Sequence, residues 1–132
     1  LLSKRLTDLP GSSAVFLGGV VSYATRSKVS VLGVDEAVLK NNPVASRPVA
    51  EAMARRAREL FGADFGIGIT GVAGPDPDEN GTEPGTVYIA LDTGDQTFCR
   101  EPLHFTDRAR VRSFAASTGL DMLRRYLTGR PV

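Results

Sequence analysis

The chain has 132 residues, of which 42% are hydrophobic and 23% are charged, so it is large enough for one packed domain of ordinary globular composition. Its 16 basic and 15 acidic residues give a formal net charge of +1, which argues against a dedicated nucleic-acid surface. One cysteine, Cys99, excludes an internal disulfide and predicts a reducing, cytoplasmic setting, and no apolar run approaches the ~20 residues of a membrane span.

The first third of the chain predicts a helix, a strand and two short helices. Residues 1–8 form an amphipathic helix that ends at Pro10-Gly11. The segment FLGGVVSYA, residues 16–24, is apolar and rich in β-branched residues, which predicts a buried strand. Short helices follow over residues 28–32 and 35–40, the second starting near Asp35.

The middle of the chain predicts the best helix, residues 46–61. Ser46 is placed to cap it, and Pro48 falls in the first turn, where a missing N–H costs little. Residues 65–71 (FGIGITG) predict a strand buried on both faces. The polar segment 75–84 is interpreted as a loop at the rim of a pocket, with a solvated surface as the alternative.

The last third predicts a hairpin and a long helix. Strands over residues 86–93 and 96–105 flank the turn at Gly94-Asp95, and Pro102 marks the second as an edge strand. A helix capped by Thr106 or Asp107 runs to about Leu127. The pattern predicts one α/β domain over residues 1–132, with a mixed, partly parallel sheet.

Several kinds of site are excluded by residue counts. One histidine and one cysteine cannot build a Cys/His metal cluster, so no metal is predicted. No GxGxxG or Walker A pattern occurs, so the common nucleotide-cofactor loops are absent and no cofactor is predicted. A Ser-His-Asp triad with Ser12 or Ser13 is possible on paper, but His104, in PLHF, is better interpreted as a packed residue at a strand end.

Hydroxyl groups and one lysine remain as candidate catalytic groups. Ser13 precedes the predicted strand 16–24, Tyr23 lies at its far end, and Lys28 follows five residues later. A partly desolvated lysine loses proton affinity and acts as a base for a serine, directly or through a tyrosine. The same residues also fit an ordinary turn, a rim tyrosine and a surface lysine.

The stretch ITGVAGP, from Ile69, ends the second predicted strand in small residues. Ligands of α/β sheets bind at strand carboxyl ends, where small residues let backbone N–H groups approach an oxyanion or a phosphate. A buried strand followed by a glycine turn is the equally simple alternative.

Three segments in order, LTDLPGSSAVFLGGVVSYATRSKVSVLGV, VASRPVAEAMARRARELFGADFGIGITGVAGP and EPGTVYIAL, closely resemble the CinA C-terminal domain family. The resemblance covers almost the whole chain. It implies a three-layer αβα sandwich, a homodimer, and a nicotinamide mononucleotide deamidase that releases nicotinate mononucleotide and ammonia without a metal or cofactor.

The resemblance also implies roles for particular residues. The serine, tyrosine and lysine of the family's active site match Ser13, Tyr23 and Lys28, and its strand-end hydroxyl matches Thr70. Ser13 would attack the amide carbon, and Lys28 with Tyr23 would carry the proton to the leaving ammonia.

A second group of residues is implied to bind the substrate. Thr70 and the N–H groups that follow it would stabilise the oxyanion or position the ribose phosphate, and an arginine at the start of the last helix would pair with the phosphate. The implied substrate-binding residues are Gly71, Ala73, Gly74, Arg108 and Arg112.

The chain departs from the family pattern at its start. The family has a strand and a Glu-Ser-x-Thr-Gly-Gly loop before the first helix, so we expect such a segment upstream of Leu1. The pyrophosphatase-like domain that often accompanies this family is not in the sequence either. Two alternatives therefore stay open: a non-catalytic nucleotide-binding or partner domain, and a hydrolase of other small amides or phosphorylated nucleosides.

Overall fold

The computed structural model describes residues 1–101 and 107–132. His104, Thr106 and the end of the strand predicted over 96–105 lie outside these ranges. The elements in chain order are α1 (Leu2–Thr7), a 3₁₀ turn (Ser12–Ala14), α2 (Thr25–Ser30), α3 (Glu36–Asn41), α4 (Arg47–Phe61), β1 (Gly66–Gly71), β2 (Val87–Asp92), β3 (Thr97–Arg100) and α5 (Arg108–Leu127).

The described sheet has three strands in the order β1-β2-β3, and both pairings are antiparallel. Ile69 lies opposite Ile89, and Leu91 lies opposite Phe98. The α/β class is confirmed, and α4 and α5 cover opposite faces of the sheet as the three-layer prediction requires. The predicted parallel part of the sheet is absent from the described residues, because segment 16–24, which was predicted to be a strand, does not join the sheet.

One face of the sheet packs closely against α4. A Cβ on Gly68 would stand 2.3 Å from the Ala50 carbonyl oxygen and 2.6 Å from the Ala54 nitrogen. Ala50 and Ala54 are fully buried. Glycine on β1 and alanine on α4 therefore let the helix backbone approach the strand more closely than larger side chains would allow.

The other face of the sheet carries the main core beneath α5. The buried members of this cluster come from β2 and α5, and they are Val87, Ile89, Leu91, Val111, Ala115 and Met122. Odd-numbered residues of β2 point toward α5, while Ala90 packs with the alanines of α4. This alternation is the two-residue period of a strand buried on both faces.

The prediction of a strand over residues 16–24 is wrong. Residues 16–23 have no assigned secondary structure and pair with no strand in the described chain. Val21 is 89% exposed, whereas its neighbour Val20 packs against the cluster around Val34 and Met53. The composition favours extended backbone, but a strand needs a hydrogen-bonding neighbour, and residues 17–23 have none among the described residues.

The short helices complete the fold beside α4. Asp35 caps α3 by accepting a hydrogen bond from the Ala37 N–H at 2.9 Å, as its predicted position at the helix start requires. Leu32 and Val34 are buried against Val49 and Met53 of α4. This second cluster holds the segment that carries Lys28 against the body of the domain.

Candidate functional site

The loop after β1 folds back onto the start of β2. The Val72 N–H donates to the Thr86 carbonyl at 2.8 Å, and the Gly85 N–H donates to the Val72 carbonyl at 2.7 Å. A Cβ on Gly71 would come within 2.5 Å of the Thr86 carbonyl oxygen. Gly71 is therefore explained in part by the close approach of two chain segments, and not by ligand contact alone.

Arg108, the first residue of α5, joins two predicted site residues that are distant in sequence. Its Nη1 donates to the Gly74 carbonyl at 2.8 Å, and its Nη2 donates to the Tyr23 hydroxyl at 3.3 Å. Tyr23 is 83% exposed, so this cluster lies on the surface of the domain. The arginine positions the loop after β1 relative to the end of segment 16–23.

Lys28 is buried, with 6% of its surface exposed. Its Nζ donates one hydrogen bond, to the Ser22 carbonyl at 2.8 Å, and forms no ion pair with any described acid. Burial lowers the pKa of this lysine below its ordinary value of 10.5. An enclosed amine with spare hydrogen-bonding capacity and a lowered pKa suits a general base.

Thr70 lies at the carboxyl end of β1 and is buried. Its Oγ1 donates to the Val44 carbonyl at 2.8 Å. The hydroxyl proton is therefore used within the protein, so in this arrangement Thr70 fixes the segment before α4 and has only lone pairs left to offer a substrate.

A cavity of about 280 Å³ opens beside the end of β1. This is close to the lower end of the ~300–1,000 Å³ range of small-molecule sites. Three of the predicted substrate-binding residues line it, namely Gly71, Ala73 and Arg112. Its remaining walls come from Leu1, Leu2, Ile69, Val87, Val111, Ala115 and Ala116, so it is mainly apolar with one cation.

Ser13 stands apart from the other predicted catalytic residues. It is exposed on the 3₁₀ turn, and its hydroxyl forms no hydrogen bond with Lys28, Tyr23 or any other described residue. The structure brings Tyr23, Gly74 and Arg108 together, and it places Lys28 one residue away from them through Ser22. It does not bring Ser13 into contact with this group.

Two further serines were not predicted as site residues. The Oγ atoms of Ser22 and Ser46 are enclosed and have no hydrogen-bond partner in the described chain. Nothing in the sequence distinguishes Ser22, since its relevance comes only from the carbonyl that holds Lys28. Ser46 was predicted as a helix cap, and it occupies the cap position of α4 without making the side-chain bond.

Residues 1–101 and 107–132 contain neither a metal-binding cluster nor a membrane-spanning helix. No group of three or more histidine, cysteine, aspartate or glutamate side chains in these ranges is arranged to hold a metal ion. None of the helices in the same ranges combines the length and the apolar character that a membrane crossing requires.

Comparison with sequence families and curated proteins gives consistent matches. The family model for the CinA C-terminal domain matches residues 1–127. A CinA-like protein of Frankia casuarinae is 47% identical over 131 residues, which cover 99% of this chain and 30% of that protein. A CinA-like protein of Desulfovibrio desulfuricans is 44% identical, with coverage of 100% and 32%. The chain therefore spans about a third of these relatives.

Solved structures share the fold. The competence damage-inducible protein A (ComA) from Klebsiella pneumoniae superposes with a TM-score of 0.90 at 29% identity, covering 96% of this chain and 79% of that one. A competence-damaged protein (CinA) superfamily protein from Escherichia coli gives 0.88 at 30% identity, covering 95% and 73%. The α/β fold is thus shared over almost the whole length of this chain.

Proposed function

Because this chain belongs to the CinA C-terminal domain family, we propose that it is an amidohydrolase of pyridine-nucleotide recycling. In this proposal it hydrolyses the carboxamide of nicotinamide mononucleotide and yields nicotinate mononucleotide and ammonia. The observation that carries the proposal is Lys28, a buried lysine whose pKa is lowered by burial and which has no acidic partner among the described residues.

The position of Lys28 supports a catalytic role over a purely structural one. A buried ammonium without a counter-ion is costly, so a lysine at such a position is usually retained for its chemistry. Its Nζ bonds to the carbonyl of Ser22, the residue next to Tyr23. Arg108 donates hydrogen bonds to the Tyr23 hydroxyl and to the Gly74 carbonyl, and Ala73, the residue before Gly74, lines the cavity.

The proposed reaction proceeds in two steps. A serine hydroxyl, assigned here to Ser13, attacks the amide carbon while Lys28, with Tyr23, takes its proton and returns it to the departing ammonia. Water then attacks the ester by the same proton route in reverse, which releases the carboxylate and restores the serine. Because Ser13 does not contact Lys28 in the free chain, this assignment requires substrate binding to bring the two groups together.

The remaining site residues are assigned to substrate binding. The apolar cavity takes the pyridine ring, while Gly71, Ala73 and Gly74 supply backbone N–H groups and Arg108 and Arg112 supply positive charge near the phosphate. Thr70 positions these groups through its bond to the Val44 carbonyl. The route uses no metal or cofactor. The homodimer remains a prediction from the family resemblance, and the cytoplasmic location remains a prediction from the single cysteine.

Ammonia release from nicotinamide mononucleotide, with the product identified by chromatography, tests the proposal. We expect turnover by the unaltered protein and a loss of at least about 100-fold in Lys28→Met and Ser13→Ala. Ser30→Ala, an exposed serine at the end of α2, is the matched control. Turnover that survives Ser13→Ala would move the nucleophile to another hydroxyl, for which Ser22→Ala is the next variant.

The exposed segment 16–23 favours a second candidate function, that of a partner-binding domain. Several of its apolar side chains face solvent: Leu17 is 56% exposed, Val21 89% and Tyr23 83%. If the folded protein binds nicotinamide mononucleotide or a protein partner but shows no turnover, that result would favour the binding-domain function. Turnover of other amides at a higher rate would instead favour a hydrolase of different specificity.

A further inference from the structure

An open groove of about 250 Å³ lies beside the first turns of α5 and carries positive charge. It is lined by Arg110, Ser113, Phe114 and Ser117. Arg5 of α1 reaches the same groove, since its Nη1 donates to the Ser117 hydroxyl at 2.5 Å and its Nη2 donates to the Ser113 hydroxyl at 2.6 Å. Neither Arg5 nor Arg110 forms an ion pair with a described acid.

The charge of these two arginines is oriented but not neutralised within the chain. Hydroxyl groups accept hydrogen bonds without carrying charge, so the two serines fix the Arg5 guanidinium and leave it cationic. The first turn of α5 contains no acidic residue, and the helix dipole disfavours a cation such as Arg110 near a helix N-terminus. Asp107 caps the helix by accepting the Arg110 N–H at 2.8 Å, but it forms no ion pair with the Arg110 side chain. An anionic partner from outside the chain would therefore relieve this charge.

The loop 75–84 presents the opposite charge. Three of its acids are exposed and form no ion pair with a described residue, and they are Asp76, Glu79 and Glu83. The fourth acid, Asp78, shapes the loop, because its Oδ1 accepts the N–H groups of Asn80 at 2.9 Å and Thr82 at 2.8 Å. The exposed acids are thus carried on a hydrogen-bonded turn, with their carboxylates directed to partners outside the chain.

The acidic loop and the cationic groove flank the start of α5. The loop follows Gly74, whose carbonyl accepts a hydrogen bond from Arg108 at 2.8 Å, and it returns at Gly85, whose N–H donates to the Val72 carbonyl at 2.7 Å. Arg110 lies two residues after Arg108, about 200° around the helix, on the groove side. A two-fold axis between two such neighbouring surfaces places the loop of each copy against the groove of the other, as an isologous interface requires.

We propose that two copies of this chain associate through this surface, with the loop 75–84 of each copy seated in the Arg5–Arg110 groove of the other. The loop carboxylates would accept charge-assisted hydrogen bonds from Arg110 and lie close to the charge of Arg5. Because one chain carries both halves of the contact, charge complementarity favours a second copy over an unrelated acidic protein. Single exposed ion pairs contribute little, so the strength of the interface comes from several charges on each side, doubled by the symmetry.

Sedimentation equilibrium of the unaltered protein at two ionic strengths is the first test. At about 0.1 M salt we expect a mass of twice the 14.1 kDa of one chain. At about 1 M salt, where the Debye length falls to about 3 Å, the dimer should dissociate more readily. A protein that stays monomeric at low salt would overturn the proposal.

Charge reversal locates the interface. Arg110→Glu and Glu79→Arg each place like charges opposite each other at both symmetric contacts, so each should raise the Kd of the dimer at least about tenfold. Arg130→Glu, at an exposed arginine near the end of the chain, makes the same change of charge as Arg110→Glu and should leave the Kd unaltered. A dimer that persists equally in both loop and groove variants would place the interface elsewhere and contradict the proposal.

A mixture of the two variants gives the most specific test. In the mixed dimer the substituted groove of one chain faces the substituted loop of the other, and the second contact is unaltered, so both contacts again join opposite charges. We expect a Kd close to that of the unaltered protein, with each variant shown to be folded by circular dichroism. A mixture that stays monomeric would overturn the proposed pairing. No substrate is used, so the result is independent of whether the chain is a deamidase.

Discussion

At the scale of single residues, the chemistry of the candidate site depends on the environment of Lys28. The sequence places this lysine five residues after Tyr23, where an exposed side chain would be the ordinary outcome. In the folded chain it is enclosed, and its Nζ is held by the Ser22 carbonyl at 2.8 Å. The role proposed for Lys28 therefore depends on its burial. The spacing of residues in the sequence does not predict that burial.

The lowered pKa of Lys28 predicts a distinctive pH dependence. If the neutral amine is the base, kcat/KM should rise with pH and level off with a midpoint below the ordinary value of 10.5. Between the lowered pKa and 10.5 the unfolded chain binds a proton that the folded chain does not, so the unfolding free energy should also rise with pH in that window.

Rate measurements and urea unfolding across this pH range check the prediction. Lys28→Met, which has no titrating group, should lose the stability increase along with the activity. A rate that is flat with pH, or a midpoint at or above 10.5, would exclude neutral Lys28 as the base.

At the scale of elements, the contact of α4 with β1 positions the start of the helix beside the strand end. Small residues on both sides make this close contact feasible, as the approach of Gly68 to the Ala50 carbonyl shows. The 3.6-residue pattern of residues 46–61 correctly predicts the helix and the burial of Val49 and Met53 at that spacing, whereas Leu60, which continues the same pattern, is 48% exposed. It does not predict the distance between helix and strand, because that distance depends on which side chains oppose each other after folding.

Gly68→Ala should destabilise the domain by about 1–3 kcal/mol, since the added methyl group would overlap backbone atoms of α4 that cannot move independently. Gly81→Ala is the control, because a Cβ there meets no atom within 4 Å and the change costs only the strain of a left-handed backbone. Urea unfolding measures both variants. A loss for Gly68→Ala below about 1 kcal/mol would contradict the close packing of α4 on β1.

At the scale of the whole molecule, Asp92 connects the helical layer to both strands of the hairpin. This last residue of β2 is 3% exposed and accepts hydrogen bonds from Arg58 of α4, from Thr97 of β3 at 2.7 Å, and from the Gly94 N–H at 3.2 Å. Burial alone would raise the pKa of Asp92, but the bonds from Thr97, Arg58 and Gly94 outweigh it and hold the pKa below 3.8.

Asp92→Asn should therefore lower the unfolding free energy at neutral pH by about 1.5–3 kcal/mol, because the buried carboxylate no longer accepts charge-assisted hydrogen bonds from Thr97, the Gly94 N–H and the partly exposed Arg58. Asp121→Asn, which breaks pairs on the surface of α5, should cost much less. The stabilisation by Asp92 is complete above about pH 3.8 and is lost as the pH falls through its lowered pKa. Equal losses for the two variants at neutral pH would refute this role.

The sequence by itself determined most of the helices and strands of this protein, and it named the residues that are proposed for the site. Periodicity and local cap and turn signals located the helices around residues 46–61 and 108–127 and the hairpin around Gly94, because these signals depend on nearest neighbours along the chain. The motif ITGVAGP and the residues Tyr23 and Arg108 were also recognisable. In the structure Arg108 donates hydrogen bonds to the Gly74 carbonyl of that motif and to the Tyr23 hydroxyl.

The tertiary structure decided what depends on partners distant in sequence. Residues 16–24 have strand composition but find no strand neighbour among the described residues, so local preference alone did not determine their state. Lys28 gained its burial, Thr70 used its proton on Val44, and Ser46 kept its hydroxyl free only once the layers had packed. Burial and hydrogen bonding depend on residues that are distant in sequence and become neighbours only on folding. For that reason the sequence pointed to these side chains but did not predict which of them are buried or which hydrogen bonds they form.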